Sequence, residues 1–327
     1  MEKVKAYVCI PTLNEEKHVK SVLDFACSHK TCVSFLVDGR SSDRTVEIAQ
    51  SLKHENLRII YNEDRIQSSA VNLVAQKAQE DGVEFLVRLD AHSKYESDFI
   101  DKVLGPFERR EISSVVVQME TQGGSHWQDV GKVVYGSYLG NGGSSHRMGA
   151  KSGFVKHGHH AAFRVKDFVA IGGYDAEFIA NEDAEFDYRM IDSGRNIWME
   201  CTAPVMYFPR ETIKGTWKQF YRNGSYRLKN FWKHKKFPEL RQLTPVAVVL
   251  SFGLPIVFPI IGWGALLPGA AYILIVLGYS MLLSWRSGAR AFDVAFLAVV
   301  SHFGFGAGFL ISTFRHLLRI FRTALWL

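Results

Sequence analysis

The chain has 327 residues, of which 47% are hydrophobic and 22% are charged, so it is neither a disordered nor a fibrous protein. Its formal net charge of +6, from 39 basic and 33 acidic residues, is too small to indicate a protein that coats nucleic acid. The charge is unevenly distributed, because residues 243–314 contain only Arg286, Arg290 and Asp293 as charged side chains. The composition therefore predicts a soluble part and a membrane part.

The cysteines and the N-terminus predict a cytosolic location for the first part. Cys9, Cys27, Cys32 and Cys201 show no Cys-x-x-Cys spacing, which favours a reducing compartment. Charged residues at the N-terminus lead directly into an apolar strand, so we expect no signal peptide.

Short apolar runs alternate with helical patterns through the first hundred residues. The pattern predicts strands at 6–10, 33–37, 57–61 and 85–89, helices that start near Glu15, Asp43, Ser69 and Asp98, and the N-caps Asn14, Ser42, Ser68 and Ser97. Such alternation predicts an α/β fold, a parallel sheet with helices on both faces. Ligands of such sheets bind beyond the carboxyl ends of the strands, and here those ends are followed by polar and acidic residues.

The next hundred residues are less regular. We predict a strand at 114–120, loops with one helix over Gly123–Gly153, a strand at 161–164, a helix over Glu182–Ser193 and short strands near Ile197 and Val205.

Residues 211–242 predict amphipathic helices in the membrane interface. Aromatic residues alternate there with basic ones, which suits a helix that faces anionic lipid. The basic residues of this region are Arg210, Lys214, Lys218, Arg222, Arg227, Lys229, Lys233, Lys235, Lys236 and Arg241. The alternative interpretation is a soluble amphipathic helix that packs on a core.

Three apolar stretches follow, at about 243–263, 265–285 and 291–314, each near the roughly 20 residues that span hydrocarbon. Basic residues precede the first stretch, lie between the second and third, and follow the third. The first two stretches therefore fit an in-out-in hairpin, whereas a third crossing would leave the last basic cluster outside. Either the third stretch is re-entrant or interfacial, or the tail is an external exception, so two and three crossings both stay open.

Three strand ends carry the residue types that a nucleotide site needs. The first ends Pro11-Thr12-Leu13-Asn14-Glu15, and the second ends at Asp38. A carboxylate there can accept hydrogen bonds from ribose hydroxyls or a base N–H, although Asn14 could instead cap a helix and Asp38 could shape a turn. The fourth strand leads to Asp90-Ala91-His92, which suits a divalent cation that bridges a diphosphate.

Four motifs in order resemble the family 2 glycosyltransferases of the inverting GT-A type, nearest to exopolysaccharide enzymes of the succinoglycan-biosynthesis type. They are Pro-x-x-Asn-Glu with Asp-Gly-x-Ser-x-Asp-x-Thr, the Asp-x-Asp-like Asp90-Ala91-His92, Gly172-Gly173-Tyr174-Asp175 with Glu182-Asp183, and Gln219-Phe220-Tyr221-Arg222. The resemblance implies a Rossmann-like mixed sheet flanked by helices, then an interfacial helix and C-terminal transmembrane helices. It also implies boundaries: a catalytic domain over 1–210, interfacial, acceptor-binding helices over 211–242 and a membrane domain over 243–327.

The resemblance also implies roles for individual residues. The nucleotide-sugar-binding positions are Pro11, Asn14, Glu15, Asp38, Asn62, Gln67, Ala70, Asn72 and Asp90; the metal ligands are Asp90 and His92; the general base is Asp183; and the acceptor- or diphosphate-binding residues are Glu182, Gln219 and Arg222.

Three of these assignments have alternatives. His92 replaces the usual second carboxylate and favours Mn²⁺ over Mg²⁺. His157, His159 and His160 could supply a further ligand, but a structural or solvent-facing cluster is the favoured interpretation. The acidic pair at 182–183 could simply occupy the first turn of a helix, and the arginine of the last motif could bind lipid headgroups.

The implied activity is transfer of a sugar from a nucleotide sugar, a UDP-sugar by preference, to an undecaprenyl-diphosphate-type acceptor in cell-surface polysaccharide biosynthesis. The expected enzyme is a metal-dependent, multi-pass protein of the inner cell membrane with a cytoplasmic catalytic domain. Its partners would be the donor, the lipid-linked acceptor, the membrane and other polysaccharide-assembly proteins, but not nucleic acid. The alternatives are a polyprenyl-phosphate sugar synthase and a non-catalytic sugar-nucleotide-binding scaffold. A nucleotidyltransferase is disfavoured, because no Gly-rich loop follows the first strand.

Overall fold

The structure is a computed structural model that describes residues 4–143, 151–257 and 263–325. The chain forms two compact units. The first contains Met1–Glu120 and Ser145–Tyr207, and the second contains Thr121–Ser144 and Phe208–Leu327. The segment 121–144 therefore belongs with the C-terminal helices, although the sequence places it inside the catalytic domain.

The first unit is built on an eight-stranded mixed sheet. Its strands are β1 (Ala6–Thr12), β2 (Cys32–Asp38), β3 (Leu57–Tyr61), β4 (Phe85–Arg88), β5 (Ser114–Thr121), β6 (Gly153–Val155), β7 (His159–Arg164) and β8 (Ile197–Tyr207). Their order across the sheet is β3-β2-β1-β4-β7-β5-β8-β6. The first four strands are parallel, whereas β7 is antiparallel to both β4 and β5. The predicted mixed α/β sheet is confirmed.

The described residues form twelve α-helices. They are α1 (Val19–Ser28), α2 (Thr45–Ser51), α3 (Gln67–Glu80), α4 (Phe99–Arg109), α5 (His126–Tyr135), α6 (Tyr138–Asn141), α7 (Val165–Ala170), α8 (Glu182–Asp192), α9 (Ile213–His234), α10 (Leu240–Val257), α11 (Leu267–Ser287) and α12 (Ala291–Leu325).

Helices cover both faces of the sheet, and the alternation within β1 shows why. Val8 and Ile10 belong to one apolar layer, with residues of α1 and α4, whereas Tyr7 and Cys9 belong to the other, with residues of α3 and α8. Successive side chains of a strand point to opposite faces, so an unbroken apolar run requires cover on both sides.

The predicted strands and helices are largely confirmed, with three corrections. The Gly-rich stretch contains two helices, α5 and α6, and also β6, among its described residues; residues 144–150 lie outside them. The two short strands near Ile197 and Val205 are one continuous strand, β8. The helices begin later than predicted: the residues before α1, α2, α3 and α4 are His18, Arg44, Ile66 and Asp98.

The predicted N-caps are wrong for a physical reason, most clearly at Asn14. Its backbone is left-handed (φ 59°), and its side chain accepts a hydrogen bond from the backbone N–H of Ser42. The polar side chains of this loop therefore bind a neighbouring loop, and the helix begins only at Val19.

The second unit is a helical bundle centred on α12. Glycines allow close contact between α9 and α12: a Cβ added to Gly224 would lie 2.0 Å from the carbonyl oxygen of Phe305, and one added to Gly308 would lie 2.0 Å from that of Tyr221. Such close approach of helix backbones is typical of small residues at helix interfaces. The glycines of the third apolar stretch therefore serve helix packing.

Two helices are long and apolar enough to cross a membrane, Leu267–Ser287 and Ala291–Thr323. They correspond to the second and third predicted stretches. The first stretch overlaps α10, whose apolar segment Leu240–Gly253 is shorter, and residues 258–262 lie outside the described part of the chain. The third stretch is one uninterrupted helix that continues to Leu325.

Candidate active site

Hydrogen bonds join the loops that follow β1 and β2. The backbone N–H of Asn14 donates to Ser41 Oγ (2.9 Å), and its side-chain oxygen accepts from the backbone of Ser42 (2.8 Å). The backbone N–H of Glu15 donates to Thr45 Oγ1 (2.8 Å). Much of the polar character of the two motifs is thus used to hold these loops against each other at the carboxyl edge of the sheet. Contact of Asn14 and Glu15 with a nucleotide stays a prediction.

The carboxylate of Asp38 shapes the turn after β2. It is fully buried and accepts hydrogen bonds from the backbone N–H (2.9 Å) and the hydroxyl (2.5 Å) of Ser41. Pro11 lies beside it, in the last part of β1. Asn62 is also buried and donates its amide to a backbone carbonyl before α3 (2.7 Å). These three residues lie at the predicted edge, with the observed contacts of Asp38 and Asn62 made inside the protein.

Two residues expected to line the nucleotide have structural contacts instead. Ala70 is 1% exposed and belongs to the core between α3 and the sheet. The Asn72 side chain binds both backbone groups of Tyr174, donating to its carbonyl and accepting from its N–H (2.8 Å each). A Cβ on Gly173, where φ is +64°, would lie 2.5 Å from Asn72 Oδ1. The double-glycine turn is therefore fitted around this amide.

A buried arginine lies at the centre of the site. Arg88 is 6% exposed, and its guanidinium lies 3.3 Å from Asp90 Oδ1, 3.7 Å from Glu182 Oε1 and 3.3 Å from the Tyr174 hydroxyl. The amide of Gln67 lies beside Asp90 as well (3.4 Å). Arg88 thus joins the end of β4 to the start of α8, and it brings the predicted residues Gln67, Asp90 and Glu182 together.

Two imidazoles border the carboxylates at this end of the sheet. His159 Nε2 lies 3.4 Å from Asp90 Oδ2, and His92 Nδ1 lies 3.2 Å from Glu15 Oε1. Burial favours the neutral form of Asp90, but the charges of Arg88 and His159 keep its pKa well below the usual range. Asp90 is therefore an ionised carboxylate with two nitrogen-bearing side chains of different chemistry, a cation and an imidazole, against it.

The acidic pair Glu182 and Asp183 begins α8, where acids favour the helix dipole. Burial and the charge of Asp183 raise the pKa of Glu182, and the proximity of Arg88 opposes that rise. Burial would also raise the pKa of Asp183, but the charges of His157, His160 and Arg88 hold it at about 2. Adjacent acids in one pocket therefore differ in protonation behaviour, and Asp183 is the stably ionised one.

The histidine cluster divides into two parts. His157 Nδ1 and His160 Nε2 lie 2.6 and 2.7 Å from the two oxygens of buried Asp187, and His160 Nδ1 lies 2.6 Å from the Tyr174 hydroxyl. These two histidines are structural, as favoured from the sequence. His159 differs, because it faces the Asp90 carboxylate.

The residues fit a divalent cation in kind. Within the described ranges, no group of three or more His, Cys, Asp or Glu side chains is arranged to hold a metal. An ionised Asp90 with His159 beside it and His92 two residues away nevertheless provides carboxylate and imidazole donors, and a metal carried by a diphosphate needs few ligands from the protein.

The site contains two residues to which the sequence gave no specific role, Arg88 and His159. A cation inside the apolar run Phe85–Leu89 was a visible signal, because an unpaired charge is rarely buried. Two predicted residues lie outside this unit: Gln219 and Arg222 are on α9, where Arg222 is exposed.

Comparison with known proteins agrees with this arrangement. Residues 7–172 match the family described as glycosyl transferase family 2. The chain is 37% identical over 319 residues to the succinoglycan biosynthesis protein ExoA of Rhizobium meliloti (strain 1021), covering 94% of this chain and 95% of that protein. It is 28% identical over 239 residues to a dolichyl N-acetyl-α-D-glucosaminyl phosphate 3-β-D-2,3-diacetamido-2,3-dideoxy-β-D-glucuronosyltransferase of Methanococcus voltae, covering 67% and 71% of the two chains.

A solved structure shares the fold. It is the mannosyltransferase PcManGT of Pyrobaculum calidifontis, in complex with GDP-Man and Mn²⁺, with a TM-score of 0.57 at 16% identity and with 91% of this chain and 86% of that one covered. The sheet, the ordered motifs and the extent of the identity to ExoA lead to one conclusion: the chain belongs to glycosyltransferase family 2.

Proposed function

We propose that the protein is a membrane-attached, inverting glycosyltransferase that moves a sugar from a UDP-sugar to a lipid-linked diphosphate acceptor in polysaccharide biosynthesis. One observation carries the proposal: the Arg88 guanidinium contacts both Asp90 and Glu182. A carboxylate suited to a diphosphate-bound cation and the acidic pair suited to proton transfer therefore belong to one continuous site.

In the donor half, Asp90 and His92 would hold a divalent cation, with His159 as a further imidazole. That cation would supply positive charge to the leaving diphosphate. Arg88 keeps Asp90 ionised, which suits metal binding. The fold is shared with a mannosyltransferase solved with a nucleotide sugar and Mn²⁺, and this supports the same class of donor and cation here.

In the acceptor half, Asp183 would take the proton from the attacking hydroxyl. Inversion by direct displacement needs one carboxylate beside the acceptor while the nucleoside diphosphate leaves from the opposite side. The pKa of about 2 means that Asp183 is ionised at neutral pH and ready to accept the proton. Its neighbour Glu182, which faces Arg88, would orient the site or bind the acceptor.

Two relatives support a lipid-linked acceptor. The name of one describes succinoglycan biosynthesis, and the name of the other describes a transferase acting on a dolichyl-linked sugar phosphate. The apolar helices α11 and α12 of this chain would place the enzyme at the membrane where such a lipid resides. We propose Gln219 and Arg222 on α9 as residues that bind this acceptor.

For the membrane arrangement, we propose a cytoplasmic catalytic unit and an external turn near Gly264. Basic residues precede α10 and separate α11 from α12, as the distribution of positive charge in cytoplasmic loops requires. Helix α5, with ten residues, is too short to span the hydrocarbon. It packs against the beginning of α12 through Val130 and Val134, and this supports a cytoplasmic position for the turn between α11 and α12.

A donor panel tests the proposal. The purified full-length protein is given UDP- and GDP-sugars with Mn²⁺ or Mg²⁺, and release of nucleoside diphosphate is measured with and without a membrane lipid extract. We expect release from a UDP-sugar that depends on the metal and rises with the extract. Activity with a simple polyprenyl phosphate alone would favour the synthase alternative, and donor binding without release under every condition would favour the scaffold.

A further inference from the structure

An open cavity in the second unit lies between α5 and the turn that joins α11 to α12. Its volume is about 860 Å³. Its walls combine charged with apolar side chains from the two sides. The charged lining residues are His126, Asp129, Lys132, Arg286 and Arg290, and the larger apolar ones are Val130, Val133 and Leu283.

The cavity has an uncompensated positive charge. Lys132, Arg286 and Arg290 face a single acidic lining residue, Asp129. Within the described part of the chain, none of these three cations forms an ion pair; Lys132 donates instead to the Gln122 side chain (3.4 Å). Cations that converge without a carboxylate partner favour an anionic ligand, and guanidinium groups match phosphate oxygens especially well.

The surroundings place the cavity at the end of an apolar helix. Arg286 lies in the last turn of α11, which ends at Ser287, and Gly288 follows with a φ of +75°. Trp285 and Phe292, on either side of this turn, are 83% and 74% exposed. Exposed aromatic residues beside arginines at the end of an apolar helix are typical of the level of lipid headgroups.

We propose that this cavity binds the phosphate headgroup of an anionic membrane phospholipid, with Arg286 and Arg290 as the residues that contact the phosphate. The apolar wall, with Val133 and Leu283, would contact the glycerol and the first part of the acyl chains. This wall and the exposed Trp285 favour a lipid over free phosphate, which has no apolar part to bury. The proposal does not depend on the identity of the donor or the acceptor.

The test compares two double variants of the full-length protein in a neutral detergent. Arg286→Gln/Arg290→Gln removes the two cavity arginines. Arg319→Gln/Arg322→Gln makes the same change of charge at exposed positions of α12 that do not line the cavity. Binding of short-chain phosphatidylglycerol, short-chain phosphatidylcholine and inorganic phosphate is measured by isothermal titration calorimetry, with UDP binding as the check that the catalytic unit is folded.

We expect the parent and the α12 double variant to bind phosphatidylglycerol with affinities within about threefold of each other. The cavity double variant should bind it at least tenfold more weakly, because each cation near an anionic headgroup contributes substantially to affinity. Equal losses in both variants would show general electrostatic attraction and overturn the proposal. It is also overturned if inorganic phosphate or phosphatidylcholine binds as tightly as phosphatidylglycerol, or if the cavity variant retains full affinity.

Discussion

His159 Nε2 lies 3.4 Å from Asp90 Oδ2, so the first residue of β7 meets the carboxylate that follows β4. The two strands are antiparallel neighbours, paired at Val87 and Ala162, and this register brings the start of one to the end of the other. An imidazole thus stands beside the predicted metal ligand Asp90, on the strand next to it.

This relationship predicts a graded response to loss of imidazoles. His159→Ala and His92→Ala should each raise the Mn²⁺ concentration for half-maximal activity by about tenfold or more, since loss of a ligand or of its supporting partner weakens metal affinity by that order. The control is His54→Ala, because His54 contacts Asp24 on the other side of the loop region. A His159→Ala variant that titrates with Mn²⁺ like the parent would remove His159 from the metal site.

The contrast between His159 and its neighbours shows where sequence reasoning ends. Local patterns were enough to predict β1 to β4, because fully buried strands are continuous apolar runs bounded by polar residues. They were not enough to place β7 between β4 and β5, since strand order across a sheet is a long-range property. For the same reason the sequence could not separate His159 from His157 and His160, which differ only in the partner that the fold supplies.

The two predicted site acids can also be separated by experiment. Asp183→Asn keeps the size of the side chain but cannot accept a proton, so donor binding should survive while transfer falls by roughly 100-fold or more. Asp90→Ala should lose donor binding instead. If Asp183 only begins α8, its replacement would cost at most about 1 kcal/mol of stability and leave transfer nearly normal. Near-parental transfer by a folded Asp183→Asn variant would shift the base assignment to Glu182.

The different pKa values of the acidic pair predict a pH profile. A base must be deprotonated to act, so its activity falls as the pH falls through its pKa. With a pKa of about 2, Asp183 stays ionised from pH 7 down to pH 5, and kcat at saturating donor and Mn²⁺ should not fall through its protonation in that range. The raised pKa of Glu182 would instead produce an acid limb if Glu182 were the base. A limb that is present in the parent and absent in Glu182→Gln would contradict the assignment to Asp183.

The central position of Arg88 predicts a large effect on stability. Arg88→Gln leaves Asp90 and Glu182 in a buried site without their cation, and such a loss costs about 3–5 kcal/mol. Since Arg88 lowers the pKa of Asp90 in the folded state, its contribution is present at neutral pH and is lost as the pH falls and the carboxyl group takes up a proton. The deficit should therefore shrink on acidification.

Chemical denaturation of the full-length protein in detergent, followed by near-UV circular dichroism at neutral and acidic pH, measures this deficit. Arg58→Gln is the matched control, because Arg58 is exposed and donates only to backbone carbonyls (2.7 and 2.9 Å); its cost should be within about 0.5 kcal/mol. An Arg88→Gln variant as stable as this control would show that Arg88 is not the cation that supports the two carboxylates.

Membrane topology gives the last prediction. Gly264→Cys should react with an impermeant thiol reagent in intact cells, and Ser287→Cys should react only after the cells are opened. Ser287 is preferred to Gly288 for labelling, because Gly288 has a φ of +75°, a conformation that side chains other than glycine resist. The parent chain serves as the control for its own cysteines, of which Cys9, Cys27 and Cys32 are buried.

A third position, Thr323→Cys, resolves the path of α12. This helix has 35 residues, which at 1.5 Å per residue is about 52 Å, more than the roughly 30 Å of a hydrocarbon core. Its second half packs along α9, where Trp232 stacks on His316, and α9 is rich in basic residues that favour a cytoplasmic interface. We therefore expect Thr323→Cys to be protected in intact cells, with α12 interfacial over that half. Labelling of Thr323→Cys from outside would instead make α12 a full crossing and the basic tail an exception to the charge rule, and protection of Gly264→Cys would mean that α10 and α11 enter the membrane without crossing it.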